Sequence, residues 1–247
     1  MLTELIFPGV IRRGQSGKNV RRVQEWLTLN GIAIAIDSQF GPATEQAVRR
    51  FQSDRSMTPT GIVDEATFNL CIKPLKNAVA NIPADGRQIG QLVVSYARQH
   101  LAEHPREVGG QNSGPWVRLY MDGNEGVNWP WCAGFVSFIL KQAADTLGVV
   151  SPFAKTYSCD ILGSDARHKQ LLVEGSSFTP QAITLQPGSI FLVKRASNDW
   201  EHTGIVTAFN ADTIETIEGN TNDDGSREGY EVCLRTRGLS GKDFIRI

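Results

Sequence analysis

The sequence has few cysteines and few histidines, and neither residue type is clustered. Four of each occur in 247 residues, and no two cysteines form a Cys-x-x-Cys pair. Disulfide scaffolds and zinc knuckles need closely spaced cysteines, so both classes are excluded and reduced thiols are expected. We expect no bound metal and no other cofactor.

Long apolar segments and an export signal are also lacking. The stretch MLTELIFPGV has no basic segment, no extended apolar segment and no small-residue cleavage site. No other stretch has the apolar length that a membrane span requires. We therefore expect a protein made in the cytoplasm without a signal peptide and without membrane insertion. Another system would have to deliver it to a substrate outside the cell.

A strong excess of one charge is absent as well. Residues 1–76 carry 10 Lys and Arg against 7 Asp and Glu, and the remainder carries 15 against 19. No basic run is interleaved with aromatic residues, so the charges do not favour nucleic acid as a partner. We expect a monomer that does not bind nucleic acid.

The length predicts two domains, each able to bury a core. Residues 1–76 contain three segments with apolar residues at helical spacing: VRRVQEWLTLNG, GPATEQAVRRFQ and DEATFNLCI. The segments FGPAT and IVDEAT form a weak internal repeat of a turn and a helix start. Prolines and an Asp-Gly pair without periodicity predict a linker at residues 77–87. Residues 88–247 then form the second domain.

The motifs of the first domain resemble a known family. GQSGKNVRRVQEWL, DSQFGPATEQAVRRFQ and GIVDEAT follow the order of the small three-helix peptidoglycan-binding domain found beside many cell-wall hydrolases. The resemblance covers about residues 11–75 and implies binding to peptidoglycan. Ser38 departs from the family, which usually has glycine there, so a differently built turn is expected. The alternative is a stabilising or protein-docking module without affinity for the wall.

In the second domain, predicted helices precede predicted strands. QIGQLVVSYARQHLAEH predicts a helix that Pro105 ends, a second helix runs over about 131–147, and the polar segment 152–174 is predicted to be helical. Five short segments rich in β-branched residues follow: SIFLVKR, HTGIVTAF, TIETIEG, YEVCLRTR and DFIRI. This order predicts an α+β fold with an antiparallel sheet.

Cys132, in the stretch NWPWCAGFVSFIL, is the candidate nucleophile. Pro130 marks the helix start and places Cys132 in the first turn, where unpaired N–H groups and the helix dipole stabilise a thiolate. The small residues Ala133 and Gly134 leave room for a substrate. Cys132 also lies on the apolar stripe of its helix, so a buried structural cysteine is the alternative. The remaining three cysteines are interpreted as core or strand residues: Cys71, Cys159 and Cys233.

His202 and Glu218 are the candidate base and its orienting acid. His202 begins a predicted strand and Glu218 ends the next one. If the two strands pair as antiparallel neighbours, the start of one lies beside the end of the other. An imidazole that accepts a proton from a thiol needs such an acceptor on its far nitrogen. For each of the two residues considered alone, the alternative interpretation is a surface position at the edge of the sheet.

The second domain also resembles a known family. PWCAGFVSF, LQPGSIFLV, HTGIV and IEGNTN, in this order, resemble the CHAP family of cysteine- and histidine-dependent amidohydrolases/peptidases, which have a papain-like fold. The resemblance covers about residues 88–247. It implies that Cys132 is the nucleophile, His202 the base and Glu218 the orienting acid, with Asn220 as a supporting polar residue. Ser189 stands where an acidic residue is common, and the loop 105–127 has no counterpart that we can place.

The two resemblances together imply a peptidoglycan hydrolase. The expected fold is α+β, with a three-helix domain followed by a papain-like domain whose nucleophile helix packs on an antiparallel sheet. The expected reaction cleaves an amide through a thioester on Cys132, either as N-acetylmuramoyl-L-alanine amidase or as stem or cross-link endopeptidase. Trp129, Trp131 and Ala133 are candidates for the substrate cleft, and simple packing is the alternative for both tryptophans. A phage lysin or a secreted antibacterial effector, the latter with an immunity protein as partner, would fit this activity.

Three competing interpretations of the second domain stay open. In the first, His100 and His104 in HLAEH match the His-x-x-Glu-His pattern of a zinc peptidase helix. Pro105 ends that helix at once, and no further acidic ligand is marked, which disfavours a metal site. The second is a non-catalytic wall-binding protein with a decayed hydrolase domain. The third is a cysteine peptidase or transamidase that acts on a protein.

Overall fold

The computed structural model describes residues 3–175, 185–210, 212–222 and 229–247. The chain divides into two units. One comprises Met1–Asn77 and Arg106–Gly126, and the other comprises Ala78–Pro105 and Val127–Ile247. The loop predicted at 105–127 thus groups largely with the N-terminal helices. The predicted boundaries at 1–76, 77–87 and 88–247 stay a prediction.

The described part of the chain contains helices first and strands afterwards, as predicted for an α+β fold. The helices are α1 (Lys18–Leu29), α2 (Pro42–Asp54), α3 (Glu65–Cys71), α4 (Lys73–Ala78), α5 (Ile89–Ala102), α6 (Pro115–Tyr120), α7 (Cys132–Leu147) and α8 (Cys159–His168). The strands are β1 (Leu172–Val173), β2 (Ile190–Ala196), β3 (Asp199–Phe209), β4 (Thr213–Thr221), β5 (Glu231–Gly238) and β6 (Lys242–Ile245). No helix within these ranges is long and apolar enough to cross a membrane.

Two buried glutamines organise the first unit by the same device. The Gln24 side chain donates to the Thr44 hydroxyl over 3.1 Å, and its Oε1 accepts from the Ser38 backbone N–H over 2.8 Å. The Gln52 side chain donates to the Thr67 hydroxyl over 3.1 Å and accepts from the Gly61 N–H over 2.9 Å. The weak internal repeat therefore has a physical basis, since each glutamine ties one helix to the turn and the start of the next.

The turn at Ser38 corrects the expectation of a different construction. Ser38 has φ 63° and the corresponding Gly61 has φ 75°, so both residues adopt the left-handed conformation that favours glycine. Both backbone N–H groups bond a buried glutamine in the same way. The serine therefore takes the backbone conformation of the usual glycine, and the turn is preserved.

The second unit is built on one antiparallel sheet in the order β1-β6-β2-β3-β4-β5. Helices α7 and α8 pack on strands of this sheet, and α5 packs against α7. Two helix predictions need correction. The segment 152–174 contains α8 but ends in β1, whose two residues pair with β6. Helix α5 stops at Ala102 because His104 has φ 50°, which a continuing helix cannot accommodate.

Two glycines allow close approaches where the sheet meets α7. A Cβ atom on Gly219 in β4 would lie 2.8 Å from side-chain atoms of both Phe135 and Trp131. A Cβ atom on Gly204 in β3 would lie 2.7 Å from the Cγ atom of Glu218. A side chain at either position would push α7 from β4 or Glu218 from β3. Gly219 thus allows the start of α7 to approach β4, and Gly204 allows the Glu218 side chain to approach β3.

Candidate active site

Cys132 is the first residue of α7 and lies at the inner end of the site. Its side chain is buried, with 6% of the residue exposed. The preceding Trp131 is the N-cap residue but supplies no side-chain cap. The backbone N–H of Ala133 bonds the Cys132 sulfur, as the start of a helix permits. The structure therefore places this thiol in the first turn, where an anion is stabilised.

His202 on β3 and Glu218 on β4 form a hydrogen-bonded pair. The register pairs Ile205 with Ile217, which brings His202 and Glu218 together as diagonal neighbours on one face of the sheet. His202 Nε2 lies 2.8 Å from Glu218 Oε2. An ionised carboxylate only accepts, so Nε2 carries the hydrogen. The second ring nitrogen is left for the Cys132 side chain, whose proximity raises the pKa of His202.

Glu218 is fully buried and has partners on both oxygens. Arg237 on β5 donates to both, from Nε to Oε1 over 2.5 Å and from Nη2 to Oε2 over 2.6 Å. The Thr216 hydroxyl donates to Oε1 over 2.5 Å. A two-pronged contact of this kind is among the stronger charge-assisted interactions in proteins. The carboxylate is therefore paired with a permanent cation independently of the charge on His202.

The charges of His202 and Glu218 support each other. Burial alone would lower the pKa of His202, but its interactions with the acceptors Cys132 and Glu218 outweigh burial and raise the pKa to about 9. Burial alone would raise the pKa of Glu218, but Arg237 and His202 lower it to about 2. At neutral pH the pair is therefore an imidazolium beside a carboxylate.

The surroundings of Cys132 lower the pKa of its thiol. The hydrogen bond from Cys159 is the largest cause that lowers its pKa, and burial opposes it. The hydrogen bond and charge of His202 act next, followed by the N–H of Ala133. Together they hold the pKa of Cys132 well below its usual value. The thiol and imidazole thus form a thiolate–imidazolium pair, which can attack a carbonyl carbon and then protonate a leaving amine.

Asn220 supports the start of α7. Its Oδ1 accepts from the Trp131 backbone N–H over 2.6 Å, and its Nδ2 donates to the Gly229 carbonyl over 2.7 Å. Asn220 has φ 57°, a conformation that asparagine tolerates better than most residues. It therefore bonds the backbone N–H of the N-cap residue and ties the start of α7 to the end of β4.

The three candidates for the substrate cleft differ in exposure. Trp129 is partly exposed, and its ring makes an edge contact with the Tyr157 ring at a centroid distance of 6.0 Å. Trp131 and Ala133 are fully buried. For Trp131, packing is the interpretation that agrees with this burial. The side chain of Trp129 remains as a candidate contact for a substrate.

Sequence reasoning missed Arg237 and Cys159. Arg237 reaches Glu218 from the adjacent strand β5, and no motif marks it among the basic residues there. The Cys159 sulfur lies 3.7 Å from the Cys132 sulfur, whereas the sequence predicts an ordinary core residue at this position. The start of α8 at Cys159, directly after the capping Ser158, is the signal that the sequence offers.

The histidines of the zinc-peptidase pattern are used differently. His100 is fully buried, and its Nε2 lies 2.9 Å from Gln142 Oε1. Burial lowers the pKa of His100 to about 4. His104 follows the end of α5 in a left-handed conformation. Within the described ranges, no three His, Cys, Asp or Glu side chains are grouped so as to hold a metal ion.

Comparison with protein families identifies two domains. A model described as a putative peptidoglycan binding domain matches residues 16–70, and a CHAP domain model matches residues 122–220. Both resemblances seen in the sequence are thereby confirmed. The chain carries a peptidoglycan-binding domain followed by a CHAP domain.

Individual relatives share only part of the chain. The zinc D-Ala-D-Ala carboxypeptidase of Streptomyces albus G is 45% identical over 64 residues, which are 25% of this chain and 25% of that protein. The chain thus spans about a quarter of the length of this curated relative. A solved peptidoglycan-binding protein from Clostridioides difficile is 44% identical to this chain. The match covers 25% of this chain and 39% of the solved chain, with a TM-score of 0.25. The SleB N-terminal domain is 32% identical over 28% of this chain and 94% of its own, with a TM-score of 0.27.

Proposed function

We propose that this chain, which joins a peptidoglycan-binding domain to a CHAP domain, is a hydrolase that cleaves an amide bond of peptidoglycan. The observation that carries the proposal is the buried line from Cys132 through His202 to Glu218. A thiolate at a helix start, beside an imidazolium that a carboxylate orients, suits acyl transfer. The peptidoglycan-binding domain supports the cell wall as substrate, partner and place of action.

The proposed reaction begins with attack of the Cys132 thiolate on the amide carbon. The resulting oxyanion is stabilised by backbone N–H groups, among them that of Cys132 itself at the start of α7. Imidazolium His202 then donates its proton to the leaving amine, and a thioester remains. Neutral His202 next takes a proton from water, which attacks the thioester and releases the acid. Glu218 holds the ring in place through Nε2 and stabilises its charged form.

Three residues act indirectly in this scheme. Arg237 and Thr216 hold the carboxylate of Glu218, and Asn220 holds the start of α7. The bond that is cleaved is either the muramoyl–alanine amide or a peptide bond of the stem or cross-link. The amide chemistry is the same for both, so the identity of the bond follows from the products.

The experiment is a digest of purified sacculi with the full chain and mass spectrometry of the released fragments. Release of whole stem peptides from intact glycan strands identifies an amidase. Shortened stem peptides, or stem peptides cut from their cross-links, identify an endopeptidase. We expect iodoacetamide to stop the release and EDTA to leave it unchanged. Release that only EDTA stops would contradict the thiol mechanism, and binding to sacculi without release would indicate a wall-binding protein.

A phage lysin and a secreted antibacterial effector are the two settings that we propose for this activity. Each requires delivery of the protein to the wall. An effector additionally needs an immunity protein, which would block access to Cys132. The two settings are separated by co-expression of neighbouring gene products with a wall-directed form of the protein. Protection of the cells from lysis by one neighbouring gene product supports an effector. Lysis that no neighbouring gene product prevents supports a lysin.

A further inference from the structure

The site contains a second thiol that forms no covalent bond in the proposed reaction. Cys159 and Cys132 are each the first residue of a helix, and their sulfur atoms lie 3.7 Å apart. Both residues are buried, with 8% and 6% of their surfaces exposed. The structure therefore brings together two thiols that lie 27 residues apart in sequence.

The two sulfurs differ in protonation. The hydrogen bond between them lowers the pKa of Cys132 and raises that of Cys159 well above its usual value. Burial and the charges of Cys132 and Asp160 raise the pKa of Cys159 further. These opposite shifts favour Cys159 as the thiol that donates and Cys132 as the thiolate that accepts. A thiolate reacts with oxidants. A neutral thiol reacts only after the neighbouring sulfur has been oxidised and has become electrophilic.

We propose that Cys159 is the resolving cysteine of Cys132 and that a peroxide closes a reversible Cys132–Cys159 disulfide. For its effect on hydrolysis this inference rests on the proposed function, because it blocks the proposed nucleophile. The disulfide itself requires only the two sulfurs.

The two steps balance. The Cys132 thiolate attacks one oxygen of the peroxide, the O–O bond breaks, and the second oxygen leaves as hydroxide. The sulfur loses two electrons and becomes sulfenic acid, and the peroxide is reduced. The Cys159 sulfur then attacks the sulfenic sulfur, the S–O bond breaks, and the oxygen leaves with the proton of Cys159 as water. A dithiol reductant then reduces the Cys132–Cys159 disulfide by thiol–disulfide exchange, which restores both thiols and converts the reductant to its own disulfide.

The geometry needs only a local change. The sulfurs must approach from 3.7 Å to the bonded distance of about 2.05 Å. We expect rotation of the side chains and a small shift of one helix start to close this gap, because each cysteine is the first residue of its helix. Cys71 is a poor competitor for the oxidant, because burial raises its pKa to about 12.

A resolving thiol changes the outcome of oxidation. A sulfenic acid without a neighbouring thiol is oxidised further to sulfinic and sulfonic acids, which a dithiol does not reduce. With Cys159 in place, oxidation stops at the disulfide and the nucleophile is recovered by reduction. The hydrolase would thus be switched off by peroxide and switched on again by a reducing environment.

The experiment treats the full chain with hydrogen peroxide and then maps thiols by alkylation and peptide mass spectrometry. In the wild type we expect a linked pair of peptides that contain Cys132 and Cys159. Hydrolysis of sacculi should be lost and then restored by dithiothreitol. In Cys159→Ser we expect sulfinic and sulfonic acid at Cys132, with no recovery after dithiothreitol. Cys233→Ser is the matched control and should behave like the wild type.

Two results would overturn the inference. One is peroxide-treated wild type without the linked peptides, and the second is recovery of Cys159→Ser by dithiothreitol to the extent seen in the wild type. The mass measurement needs no enzymatic activity. If the reduced wild type fails to cleave sacculi, but peroxide treatment of the same protein still yields the linked peptides, the proposed function fails and the inference about the thiol pair stands.

Discussion

At the scale of single residues, the site depends on how Glu218 is neutralised. A fully buried carboxylate would be unstable without partners, since removing a charge from water costs several kcal/mol. Here both oxygens accept hydrogen bonds, and Arg237 contributes two of them. Glu218 therefore stays ionised whether or not His202 is charged, so it can orient the ring through the whole reaction cycle.

The ionised pair gives the first prediction, a bell-shaped pH profile of kcat/KM. Activity requires the Cys132 thiolate and the His202 imidazolium together. The acidic limb follows protonation of Cys132 and should lie below the usual pKa of a thiol. The alkaline limb follows loss of the proton from His202 and should lie near pH 9. Steady-state rates on a soluble peptidoglycan fragment measure both limbs. An alkaline limb near the ordinary pKa of histidine would contradict the described geometry.

The second prediction concerns the hydrogen bond from Cys159, the largest cause of the lowered pKa of Cys132. Cys159→Ala removes the donor, so the acidic limb of kcat/KM should move to higher pH. Cys159→Ser keeps an O–H donor at the same place and should leave the limb closer to that of the wild type. Identical limbs in the wild type and Cys159→Ala would show that the thiol contributes no hydrogen bond to the nucleophile.

The third prediction concerns Arg237→Gln. The folded protein holds the pKa of Glu218 at about 2, below the usual 4.5, so this carboxylate stabilises the fold above pH 4.5 and the contribution is lost as pH falls toward 2. Loss of Arg237 raises that pKa, and acid unfolding should begin at higher pH. We expect a loss of about 2 kcal/mol near neutral pH, less than for a fully buried pair because Arg237 is partly exposed. Urea unfolding at several pH values measures both effects.

Arg246→Gln is the matched control for that experiment. Arg246 is exposed and donates to the Gln170 carbonyl, away from Glu218. Its replacement should leave the pH dependence of unfolding unchanged. Equal acid unfolding in Arg237→Gln and the wild type would contradict the role assigned to Arg237.

At the scale of secondary-structure elements, the contact between α7 and β4 sets the position of the nucleophile. The fourth prediction is that Gly219→Ala lowers both stability and hydrolysis, because its Cβ would lie 2.8 Å from atoms of Phe135 and Trp131. Overpacking of this kind costs about 1–3 kcal/mol. Gly238→Ala, at the end of β5 with no atom within 4 Å of the added Cβ, should behave like the wild type. Thermal unfolding and sacculus hydrolysis of the two variants test this contact, and equal behaviour would contradict it.

The elements that carry Cys132, His202 and Glu218 can be predicted from the sequence. Pro130 and the apolar stripe place the cysteine at a helix start, and two strands joined by a short turn pair as neighbours. Their register then fixes which residues meet. These signals come from residues that are close together in the sequence, so they can be recognised without the structure.

The contacts of Arg237 and Cys159 cannot be predicted in the same way. Arg237 lies opposite Ile214 in the register of β5 with β4, and its long side chain reaches along β4 to Glu218, so its partner is not its cross-strand neighbour. Cys159 reaches Cys132 from a separate helix that packs on β3. Both contacts are set by tertiary packing. Helix α5 also ends earlier than predicted, because the left-handed conformation of His104 precedes the proline that marks the end in the sequence.

At the scale of the whole molecule, the chain combines a domain that matches the peptidoglycan-binding family model with a candidate hydrolase. Its two units are each formed from two separate segments, since Arg106–Gly126 belongs with the N-terminal helices. Under the proposed function, the binding domain keeps the catalytic residues near their substrate and so raises the effective concentration of cleavable bonds.

The most direct test of the central claim is sacculus cleavage by Cys132→Ala, with binding measured by co-sedimentation in the same samples. Cys233→Ala is the matched control, since Cys233 is another buried cysteine of the same unit. We predict that the wild type and Cys233→Ala release peptidoglycan fragments. Cys132→Ala should release none while it sediments with sacculi as well as the wild type does. Equal release of fragments by Cys132→Ala and the wild type would contradict the account, because the thiolate at the start of α7 would then not be the nucleophile.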